Sequence, residues 1–151
     1  MSKLFRPFLM VATAATLLLT NSCTKTCDPG YEGTDCKTEV RAKFLSNNVS
    51  VSEKKNNGTA YSYSTTIISV SSDVQQVAIT KIANGFYNSN IKATVDGSTF
   101  TIAKQDPDND GYNIEGSGTV SGTSVTVTFT ITGKDGSGNT VTDNYSGTWT
   151  L

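Results

Sequence analysis

The sequence contains no histidine, so the side chain that most often serves as a general base at neutral pH is missing. The usual Ser-His-Asp triad is excluded with it. Cysteine is scarce, with three in 151 residues, and three thiols without histidine cannot complete a four-ligand zinc site of the usual nitrogen and sulfur donors. Charged residues make up only 17%, with twelve basic against thirteen acidic side chains. That balance lacks the basic excess that binding to nucleic acid calls for. Long apolar stretches are nearly absent too. The most apolar stretch, the uncharged run Phe8 to Leu19, has twelve residues. As a helix it would reach only ~18 Å, short of the ~30 Å hydrocarbon core of a bilayer.

That run sits in a recognisable order of segments. Lys3 and Arg6 precede it without any acid, it ends in Leu17-Leu18-Leu19, and Thr20-Asn21-Ser22-Cys23 follows. A positive start, an apolar middle and small residues at the end form the pattern of an export signal. With the cysteine in place, the pattern resembles the bacterial lipobox. Thr20 stands where that family usually has leucine, and Ser22 fits the small residue before the cut. The resemblance implies cleavage after residue 22, diacylglycerol on the Cys23 thiol and anchoring of the chain to a membrane. Ordinary secretion with Cys23 left as a free thiol is the competing reading. Two or more acyl chains make such an anchor stable, whereas one binds only marginally.

Without residues 1–22, ten basic residues face thirteen acidic ones. Lipidation of Cys23 would also resolve the odd cysteine count. Cys27 and Cys36 remain and can pair in an oxidising envelope; a metal is the alternative, and the chain has no further cysteine or histidine to complete its site. A bridge closing so short a loop is worth ~2.5–3 kcal/mol in the chain-entropy view. Cys27-Asp28-Pro29-Gly30-Tyr31-Glu32-Gly33-Thr34-Asp35-Cys36 resembles the last loop of an EGF-like domain, whose fifth and sixth cysteines pair with each other. Lys25 stands where the fourth cysteine would be, and the first three are absent. The family's calcium-binding residues therefore have no counterpart here. The loop reads as a spacer or stapled knob, with a receptor-like contact surface as the alternative.

From about residue 41 the chain alternates. Val49 and Val51 share a face with serines between them, and Lys54 to Gly58 makes a turn with an Asn-Gly signal. Tyr61, Tyr63, Thr65 and Ile67 form the next face, while Ile68 and Val70 switch phase and suggest a bulge. Val77 and Ile79 follow, then a loop through Asn84-Gly85-Phe86-Tyr87-Asn88. Ile91, Ala93 and Val95 turn at Asp96-Gly97 into Phe100 and Ile102, and Tyr112 and Ile114 open another strand ending at Ser121-Gly122. Val125, Val127, Phe129 and Ile131 alternate with threonines, and the last strand puts Val141, Tyr145, Trp149 and Leu151 on one face. About eight short strands with a polar side each, and no amphipathic helix, predict an all-β antiparallel domain with a single core. An up-and-down barrel would remove its edges; a β-sandwich is the alternative.

The layout resembles small envelope lipoproteins of the Bacteroidota, in which a lipobox and a truncated EGF-like loop precede a lipocalin-like β domain. Arg41-Ala42-Lys43-Phe44-Leu45, Thr94 to Ile102, and Gly116-Ser117-Gly118-Thr119-Val120-Ser121-Gly122 carry the likeness. It implies a segment 1–22 that is removed, a lipidated cysteine and stapled loop over 23–40, and a barrel over 41–151. It implies an outer-membrane location, with the periplasmic and surface sides both open because Thr24-Lys25-Thr26 carries no acidic export cluster. It supplies no catalytic residues.

Three features remain as candidates for chemistry. Asp106-Pro107-Asp108-Asn109-Asp110-Gly111 resembles the first half of a calcium loop, but Ser117 holds the place of its closing glutamate and Glu115 comes two residues early. An ordinary exposed turn is the other reading. The acids Glu115 and Asp143 could meet only through the fold. Tyr61, Tyr63, Phe100, Phe129, Tyr145 and Trp149 belong to the core, or line a pocket for an apolar or sugar ligand. The sequence therefore predicts no enzyme and no cofactor, but a membrane-anchored module binding an unknown small molecule or protein. A structural or adhesive surface protein without a cavity is the alternative.

Overall fold

The structure, a computed structural model, describes residues 26–151. The export segment and Cys23 lie outside the described residues. Two short strands, β1 (Tyr31–Glu32) and β2 (Thr38–Glu39), pair within the N-terminal loop. Eight further strands follow: β3 (Ser46–Lys55), β4 (Tyr61–Ser69), β5 (Gln76–Ile79), β6 (Ile91–Asp96), β7 (Thr99–Gln105), β8 (Asn113–Ser121), β9 (Ser124–Lys134) and β10 (Thr140–Thr150).

Each pairs antiparallel with its sequence neighbour, and β10 pairs with both β9 and β3, so the sheet closes into a barrel. The barrel predicted from the alternation is the observed fold, and the sandwich is not. Closure satisfies the backbone N–H and C=O groups that threonine-rich edges would expose to another chain. Period-two burial follows the sequence closely. Val125, Val127, Phe129 and Ile131 of β9 are all buried, and the residues between them are partly or fully exposed.

Two local expectations change. No bulge forms at Ile68, which points outward and keeps 37% of its surface exposed; β4 ends at Ser69 instead. The register shifts fall between Ser46 and Val49 and between Ile102 and Gln105. The turn after β3 is centred on Asn56 and Asn57, both at positive φ, and the Gly58 N–H closes it on the Lys55 carbonyl at 2.8 Å. Asparagine tolerates the left-handed region that a tight hairpin demands, so the glycine is not the residue that bends.

The two ends of the barrel differ. A 3₁₀ turn, Val40–Phe44, seals the end where β3 begins, and Phe44 is fully buried there. The other end carries the β3–β4, β5–β6, β7–β8 and β9–β10 connections. The β5–β6 connection folds inward, burying Ile82 and Tyr87 completely, and the Tyr87 hydroxyl donates to the Tyr112 carbonyl at 2.7 Å.

Candidate functional site

The inward face of β3 reads Val49, Val51, Glu53, so a carboxylate takes the third place in an apolar row. Glu53 keeps only 1% of its surface exposed. Its strand partner on β10 is Gly147, where a Cβ would lie 2.5 Å from that of Glu53, and this missing side chain leaves room for the acid. The Tyr63 hydroxyl donates to Glu53 Oε1 at 2.6 Å, and that of Tyr61 reaches the same oxygen at 3.5 Å. The two tyrosine rings stack, and Lys81 Nζ lies 5.4 Å from the centroid of Tyr63. Oε2 of Glu53 and the indole N–H of Trp149 are both buried without a partner at hydrogen-bond geometry.

Burial pushes the Glu53 carboxyl above its ordinary value. Tyr63, the nearby Trp149 indole, Tyr61 and the Ala83 backbone pull it partly back by favouring the charged form. Burial first, and the adjacent carboxylate second, push the Tyr61 and Tyr63 hydroxyls far up, which keeps both as donors. Together the four side chains form one polar cluster on the inner wall. Sequence reading placed the tyrosines and Trp149 in the core and missed Glu53. The available signal was a carboxylate in phase with Val49 and Val51.

The aromatics expected in the core, or alternatively as a pocket lining, largely touch each other. Phe100 is fully buried and meets Phe44 edge-on at 5.7 Å and Trp149 at 6.1 Å. Phe129 stacks on Tyr145 with centroids 4.6 Å apart. A large open depression of about 870 Å³ lies across β7 to β10 over the paired row Ile102, Gly116, Phe129 and Tyr145. The exposed neighbours of that row, Thr101, Glu115, Thr128 and Asn144 among them, line it, which puts it on the outer wall.

The other sequence candidates separate. Asp106 accepts the Asp110 and Gly111 N–H groups at 3.2 and 2.8 Å, and Asp110 accepts that of Tyr112 at 3.0 Å. Those carboxylates thus organise their own turn, and no group of three acidic or cysteine ligands converges among the described residues. Asp143 binds Lys55 at 2.7 Å and Asn56 at 2.8 Å, and these contacts hold its carboxyl below the ordinary range despite partial burial. Glu115 sits on the exposed side of β8, so the structure does not bring the two acids together. Cys27 and Cys36 form a disulfide, and the lipid-attachment candidate Cys23 lies outside the described residues. No protein-family model matches this chain, and no curated protein matches it.

Proposed function

We propose that this chain is a lipoprotein held at a bacterial outer membrane by acyl chains on Cys23. Its barrel serves as a non-enzymatic binding or accessory module that meets its partner on its surface. The order of Lys3, Arg6, the run Phe8 to Leu19 and Ser22-Cys23 supports the anchor. The packing of Phe44, Phe100 and Trp149 on one another carries the surface reading. A carrier of apolar ligands keeps such positions as cavity wall, whereas here they fill one another's contacts.

Two experiments test it. Cys23→Ser expressed in a bacterial host should leave the membrane fraction for the soluble one; retention in the membrane would remove the anchor. Anilinonaphthalene sulfonate titrated into the purified mature protein should show no saturable fluorescence, and Phe100→Ala should admit it while losing ~3–5 kcal/mol of stability. Saturable binding by the unaltered protein, with energy transfer from Trp149, would make the barrel a carrier.

A further inference from the structure

The stapled loop is bolted to the barrel rather than hung from it. The Val40 N–H donates to the Gly30 carbonyl at 2.9 Å, and Lys43 binds Glu32 at 2.8 Å. Gly30, at φ 89°, lies so close to the β4–β5 connection that a Cβ would sit 2.7 Å from Val74 Cγ2. Arg41 fixes the same connection from inside. Its Nη1 donates to the carbonyls of Val70 and Asp73 at 2.6 Å each and of Gln76 at 3.2 Å, and its Nε to Glu39 at 2.8 Å. Closed by Cys27–Cys36, the segment forms a collar on the sealed end of the barrel.

Resting on the proposed lipidation of Cys23, we infer that the sealed end of the barrel faces the lipid surface and the loop-bearing end points away from it. Four residue steps separate Cys23 from Cys27, and a fully extended chain covers at most ~14 Å in that distance. The eleven residues of β9, at ~3.3 Å rise and ~40° tilt, make the barrel ~28 Å long. The tether is therefore about half the length of the body it holds. An independent feature lies at the same end. Leu45 and Ile68, 36% and 37% exposed, border one depression beside the collar. Exposed aliphatic side chains next to an acyl anchor suit the boundary of a bilayer. The acids Asp28, Glu32, Asp35 and Glu39 of this end are balanced by Lys25, Lys37, Arg41 and Lys43, so lipid contact here does not depend on anionic headgroups.

The acylated full-length protein in phosphatidylethanolamine–phosphatidylglycerol vesicles containing headgroup-nitroxide lipid tests this. With Cys23 acylated and Cys27–Cys36 bonded, a cysteine introduced by Thr123→Cys, Ser64→Cys or Ser137→Cys is the sole free thiol and takes a fluorophore. These exposed sites mark the sealed end, the wall above the collar and the far end. Quenching several-fold stronger at Thr123 than at Ser64 and Ser137 is expected, and unchanged in vesicles without phosphatidylglycerol. Strongest quenching at Ser64 would mean that the barrel lies on its side, and equal quenching at all three that it tumbles; either overturns the orientation. Failure of every variant to float with the vesicles would instead overturn the anchor.

Discussion

The Tyr63 hydroxyl donates to Glu53 Oε1 at 2.6 Å across the β3–β4 ladder, inside a wall made mostly of valine, isoleucine and aromatic rings. Burial raises the carboxyl above the ordinary glutamate value of 4.5. The folded protein therefore holds this proton more tightly than the unfolded chain does. The associated stability is fully present below pH 4.5 and is lost as pH rises through the folded-state value. Glu53→Gln removes this dependence. The melting temperature of the variant minus that of the parent should grow more positive from pH 4 to pH 7, since the remaining acids titrate in both proteins. A difference that stays flat with pH would contradict the assignment.

Gly118 lies on the inner face of β8, where a Cβ would meet the Phe100 ring at 2.4 Å. Gly118→Ala should destabilise the domain by ~1–3 kcal/mol through overpacking. Gly136 has nothing within 4 Å of a Cβ and no positive φ, so Gly136→Ala should stay within ~0.5 kcal/mol of the parent. Urea unfolding followed by the fluorescence of Trp149, the only tryptophan, measures both. Equal effects would mean that the centre of the barrel has slack.

Arg41 is 7% exposed and serves three carbonyls of one connection. Arg41→Ala leaves those acceptors without their shared donor and should destabilise by ~1–3 kcal/mol. Hydrogen exchange should rise first at the Gln76 amide, which bonds back to Asp73 within that connection. A uniform rise over all eight barrel strands would mean that the arginine supports the whole fold rather than the collar.

The barrel was legible in the sequence because most of its strands alternate. Val125 to Ile131 and Ile91 to Val95 carry the period of two that a half-buried sheet imposes. Closure was an inference from the need to hide edges. What the alternation could not show is which residues meet across strands. Glu53 looks like one more polar residue until register sets Gly147 beside it and brings the Tyr61 and Tyr63 hydroxyls to it. The collar is similar, because Gly30 meets Val74 through tertiary contact alone. The bulge expected near Ile68 was misread because an exposed isoleucine breaks the apolar pattern without breaking the ladder, which runs on through Ile68 to Ala78. The acidic turn at Asp106 shows the same limit. Its spacing suggests a cation, but two of its carboxylates accept backbone N–H groups of the turn itself.

The anchor at Cys23 is the claim on which location, orientation and role depend. Intact mass spectrometry of the protein extracted from a bacterial membrane fraction tests it most directly. The expected chain begins at Cys23, lacks residues 1–22, keeps Cys27 and Cys36 oxidised, and carries the added mass of a diacylglyceryl group. A chain that begins elsewhere, or one with an unmodified Cys23 thiol, would contradict it.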